Sequence, residues 1–189
     1  MTNASDKAVP VVTLVPGHAE APVFALREPL SFWGGLEVAT GKIIDRRHPQ
    51  FDQSISGKIL VMEAGRGSSS GSSVLAEAIR LGTGPAGIVL LARDAIVTVG
   101  AMVAVELYQK ECPVVLVRRE DWQRVGEANV LRIVADSERG GLTLSYAARV
   151  VPMINPLANS CEDATLAKLP IRTSCIRRFA HCARRICRR

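Results

Sequence analysis

Short apolar runs alternate with segments of helical periodicity through the middle of the chain. The runs that have the length and content of buried strands are Lys58–Met62, Gly87–Ala92 and Pro113–Val117. The segments that follow them and suit helices are Val74–Leu81, Val99–Tyr108 and Glu120–Val125. A strand followed by a helix, repeated in this way, predicts a small parallel sheet with crossover helices.

Both ends of this unit carry patterns typical of antiparallel strands. Short apolar runs at Val11–Val15 and Val23–Leu26 predict two strands before the repeated unit. The further pairs of predicted strands are Leu36–Thr40 with Gly41–Asp45, and Val130–Ala135 with Leu142–Ser145, the last pair forming a hairpin. Together these elements predict an α/β fold, a compact β/α domain with a mixed sheet.

Three segments of different character divide the chain. Residues 1–22 hold three prolines and predict a partly mobile N-terminal segment, whereas residues 23–150 carry the pattern of a folded domain. Residues 151–189 lose the periodicity and become rich in Arg and Cys, which predicts a disordered or weakly helical tail. No apolar stretch reaches the roughly 20 residues of a membrane span, and no signal peptide is evident, so we expect a cytoplasmic protein.

The net charge of +6 belongs entirely to the tail. Residues 1–150 contain 16 basic and 16 acidic side chains, whereas residues 151–189 contain 8 basic and 2 acidic ones. Cys112 is the one cysteine before the tail, which holds Cys161, Cys175, Cys182 and Cys187. This distribution predicts a reducing compartment rather than a disulfide scaffold. The tail lacks the paired spacing of a zinc site, and its arginines leave nucleic-acid binding open as an alternative.

A Gly/Ser segment, Ala64–Leu75, separates the first predicted buried strand from the helix that follows it. A strand, a glycine-rich loop and a helix N-terminus bring backbone N–H groups and hydroxyls together, which suits anion binding or a reactive hydroxyl. Arg66 adds a guanidinium that can bind a carboxylate or a phosphate through two hydrogen bonds. The segment lacks the lysine of a P-loop. A hydrolase triad is not expected, because the one histidine after the loop is His181 in the tail.

Three other side chains are candidates, and each has a structural alternative. His48 lies in the polar segment Asp45–Pro49 and is either a general acid or a solvated loop residue. Trp33 shapes a pocket or an interface, or packs in the core. Asp94 follows a predicted strand at a position where α/β proteins place polar site residues, or it caps a helix.

Four motifs in fixed order resemble the small subunit, or swivel domain, of the aconitase X family. They are Pro29–Gly35, Thr40–Asp45, His48–Pro49 and Gly65–Ser72. The resemblance covers about residues 10–145, and the tail has no counterpart in it. It implies a swivelling β/β/α domain that closes over a large catalytic subunit, in a heterodimer or a larger assembly. That partner carries an iron–sulfur cluster and most of the substrate contacts.

The resemblance also implies a chemistry and the residues that perform it. The family dehydrates small hydroxy acids: one branch converts cis-3-hydroxy-L-proline to 1-pyrroline-2-carboxylate, and another acts on mevalonate 5-phosphate. The family's catalytic serine matches Ser68, which would take the proton while an iron on the partner takes the hydroxyl. The predicted substrate-binding residues are the loop neighbours of Ser68, namely Arg66, Gly67 and Ser69. No metal site is expected before the tail, since Cys112 is alone there.

The sequence therefore favours the small subunit of a two-subunit hydro-lyase that acts on cis-3-hydroxy-L-proline, with phosphomevalonate dehydratase as the alternative. A swivel domain that carries a phosphorylated histidine is an alternative of another class. His18 and His48 are its candidates, although the Gly/Ser loop itself holds no histidine. Nucleic-acid binding through residues 172–189 is the third alternative, and the neutral body without an aromatic platform counts against it.

Overall fold

Nine strands and four helices are present in residues 8–136 and 140–145, the part of the chain that the computed structural model describes. The strands are β1 Val9–Val15, β2 Gly17–Ala25, β3 Leu36–Glu37, β4 Lys42–Ile43, β5 Ile59–Met62, β6 Gly87–Leu90, β7 Val114–Leu116, β8 Val130–Ala135 and β9 Gly140–Ser145. The helices are α1 Phe32–Gly35, α2 Gly71–Leu81, α3 Ala95–Tyr108 and α4 Arg119–Glu127. Strand and helix alternate from β5 to α4, as the apolar runs predict.

Seven of the described strands close into a barrel in the order β1-β7-β6-β5-β2-β8-β9. The neighbours β2, β5, β6 and β7 run parallel, with Val23 opposite Ile59 and Val61 opposite Val89. The strands β1, β8 and β9 pair in antiparallel fashion and complete the circle. The predicted mixed sheet is therefore confirmed, while β3 and β4 form a separate two-stranded sheet.

Strands β5, β6 and β7 are buried on both faces, since successive side chains of a strand point to opposite sides and each side of these strands meets a core. In β5, Ile59 and Val61 belong to the core inside the barrel, whereas Leu60 and Met62 belong to the core under α2 and α3. The strands β6 and β7 divide their side chains in the same way. Burial on both faces explains why these strands are continuous apolar runs in the sequence.

Helices α2 and α3 both begin before the apolar pattern predicts. Helix α2 begins at Gly71 rather than Val74, and it ends as predicted at Leu81, followed by Gly82 in a left-handed conformation with φ 76°. Helix α3 begins at Ala95 because the preceding residue caps it through its side chain. In the described part of the chain, none of the helices is long and apolar enough to cross a membrane.

The expected boundary between residues 22 and 23 falls inside β2. Strand β1 pairs with β7 and β9, and all of β2 from Gly17 to Pro22 pairs with β8. Residues from Val9 onward therefore belong to the barrel rather than to a mobile segment. Pro22 is tolerated because β2 pairs with β5 only from Val23 onward, so the missing N–H of the proline costs no bond in that pair.

The last two strands form the predicted hairpin, with Leu131 opposite Leu144. Strand β9 begins at Gly140 rather than at Leu142, since Gly140 and Gly141 already pair with Ala135 and Val134. The predictions for residues 1–7 and for residues 151–189, including the four cysteines and the arginines of the tail, lie outside the described residues.

Cys112 is fully buried in the core under α2 and α3. Its thiol lies 3.5 Å from the carbonyl oxygen of Pro85, to which it donates. Burial raises the pKa of the thiol from 9.0 to about 12, because the ionised form would lose its hydration. Cys112 is therefore a core side chain that stays protonated near neutral pH.

We expect Cys112 to resist alkylation in the native chain. Iodoacetamide reacts with the thiolate, which is scarce at a pKa of about 12, and the sulfur is shielded from the reagent. In mildly alkaline buffer the native reaction should be at least about 100-fold slower than in urea. Peptide mass spectrometry measures this rate for Cys112 alone, and equal rates in both conditions would contradict the burial.

Candidate functional site

The Gly/Ser loop joins the end of β5 to the start of α2. Residues 63–70 form this connection, and residues 66–70 are all exposed. Because β2, β5, β6 and β7 are parallel, their carboxyl ends lie at the same end of the barrel as the loop. The carboxyl ends of parallel strands are the usual place for a binding site in α/β proteins.

Asp94 attaches the first half of the loop to helix α3. Its Oδ2 accepts a hydrogen bond from the Gly65 amide at 2.7 Å. Its Oδ1 accepts from the amides of Ile96 and Val97 at 2.8 and 3.0 Å, which caps the helix. The structure thus confirms the helix-cap alternative for Asp94 and shows that the same carboxylate holds the loop.

Arg66 is held through both its backbone and its side chain. Its amide donates to the carbonyl oxygen of Leu30 at 3.2 Å. Its Nη2 donates to Asp45 Oδ2 at 2.8 Å, while 47% of the Arg66 side chain and 24% of the Asp45 side chain remain exposed. The guanidinium is therefore oriented by a carboxylate and still accessible to an anion from solvent.

Gly67 lets the loop pass directly over Ser31. Its φ of +105° lies in a region that side-chain-bearing residues rarely adopt, and a Cβ there would lie 2.6 Å from Ser31 Oγ. That hydroxyl donates to the carbonyl oxygen of Trp33 at 2.9 Å, which fixes it beneath the loop. The backbone itself thus requires glycine here, and the substrate contact of Gly67 stays a prediction.

Three serines form the turn that leads into α2. The carbonyl oxygen of Ser68 accepts from the Gly71 amide at 2.9 Å, and that of Ser69 accepts from the Ser72 amide at 3.0 Å. Ser70 is the N-cap residue, although its hydroxyl makes no capping bond to α2 within the described residues. All three side chains are exposed beside the N-terminus of an 11-residue helix, where the helix dipole is positive.

Three of the four motifs meet here, since the motif Gly65–Ser72 contains most of the loop and two others contact it. The segment Pro29–Gly35 contacts it through Leu30 and Ser31, and the segment Thr40–Asp45 contacts it through the carboxylate at its end. Sequence reasoning did not select Asp45 or Ser31 as site residues. The sequence did hold a signal for both residues, since each is a polar side chain next to apolar residues within one of the four motifs.

His48 is a buried structural residue, so the predictions of a solvated loop residue and of a general acid are both wrong. It is 2% exposed. Its Nδ1 accepts from the Gln50 amide at 3.1 Å, and its Nε2 lies 3.1 Å from the carbonyl oxygen of Glu28. An amide only donates and a carbonyl only accepts, so the ring is neutral with its proton on Nε2. The polar sequence around His48 predicts solvent exposure, but the ring makes its hydrogen bonds to backbone groups instead of to water.

Trp33 and His18 lie in different places relative to the loop. Trp33 is 62% exposed, which contradicts the core alternative, and its backbone lies beside Gly71. His18 is exposed near the start of β2, whereas Ala25 at the end of β2 adjoins the loop end of β5. Among the described residues no exposed histidine adjoins the loop, which counts against the phosphoryl-carrier alternative.

The described residues do not fit an iron–sulfur cluster. Within residues 8–136 and 140–145, no three side chains of His, Cys, Asp or Glu gather in a way that would hold a metal ion. Cys112 is buried and protonated. The cysteines of the tail lie outside the described residues.

Residues 9–143 match the family model of the aconitase X swivel domain. This match covers more than half of the chain and includes the barrel strands, the loop and the segments that hold the loop. The chain belongs to the aconitase X swivel-domain family. The family resemblance noted in the sequence is thereby confirmed, together with the mixed α/β fold that it implies.

Two relatives of this aconitase X swivel domain carry names of dehydratases. The cis-3-hydroxy-L-proline dehydratase of Hypocrea jecorina is 36% identical over 154 residues, which are 80% of this chain and 25% of that protein. The phosphomevalonate dehydratase small subunit of Methanothermobacter thermautotrophicus is 41% identical over 88 residues, which are 47% of this chain and 67% of that subunit. The chain thus spans about a quarter of the length of the Hypocrea relative.

A solved structure supports the assignment of the aconitase X fold. The crystal structure of Thermococcus kodakaraensis aconitase X in its holo-form matches with a TM-score of 0.59 and 29% sequence identity. The match covers 72% of this chain and 97% of that chain, so it extends over the barrel and its helices rather than over one motif.

Replacement of Asp94 tests the attachment of the loop to α3. Asp94→Ala removes two capping bonds and the bond to the Gly65 amide, so the free energy of unfolding should fall by about 2 kcal/mol. Urea denaturation of the full chain, followed by tryptophan fluorescence, measures the change. Asp94→Ser separates the two roles, because serine still caps α3 but lacks the second oxygen that binds the Gly65 amide, so its stability should lie between that of the unmodified chain and that of Asp94→Ala. An unchanged midpoint for Asp94→Ala would contradict the assignment.

Proposed function

We propose that this chain is the small subunit of a two-subunit hydro-lyase that dehydrates cis-3-hydroxy-L-proline to 1-pyrroline-2-carboxylate. The observation that carries the proposal is the exposed serine loop between β5 and α2, in a chain that matches the aconitase X swivel domain. The name of the Hypocrea relative supports this choice of substrate. A dehydration of this kind needs a base for the proton and a second group for the departing hydroxyl.

Ser68 is the proposed base. It would take the proton from the carbon beside the substrate carboxylate, while hydroxide leaves the neighbouring ring carbon and a C=C bond forms between the two. The resulting enamine, 2-pyrroline-2-carboxylate, would then tautomerise to 1-pyrroline-2-carboxylate. A serine is a weak base unless positive potential stabilises its alkoxide. The N-terminus of α2 supplies such potential, and the Ser68 carbonyl already accepts a bond from Gly71 in the first turn of that helix.

The proposed substrate contacts are the neighbours of Ser68 in the loop. Arg66 would bind the substrate carboxylate, since its guanidinium is half exposed and held in one orientation by Asp45. Gly67 would bring its backbone close to the substrate because it has no side chain, and the exposed Ser69 hydroxyl would add a hydrogen bond. With Ser68 as the base, each of the four consecutive residues 66–69 would have a role in the reaction.

A large partner subunit is proposed to supply the remaining contacts and the iron–sulfur cluster. The name of the Methanothermobacter relative, a small subunit, supports such a partner. The length of the Hypocrea relative, of which this chain matches a quarter, supports it as well. The described residues offer no ligand set for a cluster, so we assign no step of the reaction on this chain to iron.

Dehydration of mevalonate 5-phosphate is the second candidate. The 41% identity to the phosphomevalonate dehydratase small subunit favours it, because that relative is matched over 67% of its length. Arg66 would then bind either the carboxylate or the phosphate of the substrate, since a guanidinium suits both.

An assay of the assembled enzyme tests the proposal. The chain is produced together with a candidate large subunit of the aconitase X family, purified without oxygen, and assayed for loss of cis-3-hydroxy-L-proline. We expect turnover only with both chains, and Ser68→Ala should lower kcat at least about 100-fold because it removes the base. Turnover of mevalonate 5-phosphate instead would move the assignment to the second candidate.

Two neighbouring serines provide matched controls for Ser68. Ser70→Ala should leave kcat close to that of the unmodified enzyme, because the Ser70 hydroxyl makes no capping bond within the described residues. Ser69→Ala should raise KM rather than abolish turnover. Loss of turnover in Ser69→Ala, with activity kept in Ser68→Ala, would show that Ser68 is not the base. Variants that no longer assemble are recognised by size-exclusion chromatography.

A further inference from the structure

We propose that Asp45 is a positioning residue that orients the Arg66 guanidinium for the carboxylate of the substrate. This inference rests on the proposed function, since it takes Arg66 as the side chain that binds the carboxylate. It adds a residue from a different segment of the chain, 21 positions before Arg66.

The carboxylate of Asp45 is fixed through both of its oxygens. Its Oδ2 accepts from Arg66 Nη2 at 2.8 Å, and its Oδ1 accepts from the Arg47 amide at 2.9 Å. The second bond belongs to the turn in which Asp45 lies and does not involve the loop. Asp45 therefore keeps its orientation without help from Arg66, and the guanidinium is the group that adapts.

The backbone that carries Asp45 is held on both sides. The Ile44 amide donates to the carbonyl oxygen of Gly35 at 2.9 Å, and the carbonyl oxygen of Asp45 accepts from the His48 amide at 3.0 Å. The buried ring of His48 in turn bonds to the chain through both of its nitrogens. These hydrogen bonds hold the turn in one conformation, and the buried His48 thereby helps to fix the position of Asp45.

The contact with Asp45 leaves Arg66 able to bind a second anion. A guanidinium carries five N–H donors in a planar fork, and the bond to Asp45 is through Nη2 alone. Asp45 thus orients the fork without occupying all of its donors. An arginine held in this way loses less freedom when it binds a carboxylate, which lowers the entropic cost of substrate binding.

A role in stability alone does not account for the contact. The Arg66–Asp45 pair is partly exposed, and ion pairs of this kind add little to the stability of a fold. The same region holds a second pair of equal length, Lys42 with Asp52 at 2.8 Å, which is also exposed. Asp52→Asn is therefore a matched control, because this substitution removes a similar ion pair at a residue that does not contact the loop.

The test compares Asp45→Asn with Asp52→Asn in the assembled enzyme, with cis-3-hydroxy-L-proline as substrate. We expect Asp45→Asn to raise KM about tenfold and to change kcat less than about twofold, because the variant loses orientation of the binding group but keeps the base. Asp52→Asn should leave both constants unchanged. Equal KM values for the two variants would overturn the proposal. A lower KM for Asp45→Asn would also overturn it, since Asp45 would then compete with the substrate for Arg66.

A second measurement does not depend on turnover. In the ¹⁵N-labelled full chain, the Arg66 Nε–H signal is identified by its disappearance in Arg66→Lys. We expect its heteronuclear NOE to fall in Asp45→Asn and to stay unchanged in Asp52→Asn, because only the first variant frees the guanidinium. An unchanged NOE in Asp45→Asn would overturn the proposal even where the enzyme is active. An inactive assembly with the expected NOE difference would instead refute the proposed function and leave the pairing of Asp45 with Arg66 in place.

Discussion

The burial of β5, β6 and β7 on both faces is the constraint on which the rest of the structure depends. These strands have only three or four residues each, and their side chains divide between the barrel interior and the layer under α2 and α3. Neither face can meet water without a large loss of hydrophobic stabilisation. The helices must therefore cover one face, and the antiparallel strands must close around the other. The connections from strand to helix, including residues 63–70, are consequently placed at one end of the barrel.

The conformation of the loop depends on its surroundings more than on its own residues. Glycine and serine have weak conformational preferences, so a loop made of them would sample many states if nothing held it. The carboxylate of Asp94 binds the Gly65 amide, 29 residues earlier in the chain, as well as two amides in the first turn of α3, and so couples the loop to that helix. The bond from the Arg66 amide to Leu30 adds a second attachment. The packing of α3 and the shape of the loop are therefore not independent of each other.

Features with a local signal in the sequence were predictable, and features made by distant contacts were not. The apolar runs predicted β5 to β7, and the helical periodicity of Val74–Leu81 predicted most of α2 with its end, because each signal lies within the element itself. Strand β2 was predicted too short, because alternating polar residues and Pro22 obscured a strand that is stabilised by β8. The burial of His48 depends on a carbonyl 20 residues away, and no pattern within its own segment indicates that partner. The Gly/Ser loop was selected from the strand–loop–helix pattern and the role of Ser68 from the family resemblance, whereas the contact of Asp45 with Arg66 required the structure.

The exposure of the loop ties the proposed chemistry to assembly. Residues 66–70 face solvent, and in water the positive potential of a helix terminus is screened within a short distance. The same potential stabilises an alkoxide strongly only where water is excluded. A serine base at Ser68 therefore needs a second surface over the loop, and Trp33, exposed beside Gly71, provides an apolar edge for such a surface. On this argument the proposed partner is needed to exclude water, so that Ser68 can act as a base, as well as to contact the substrate.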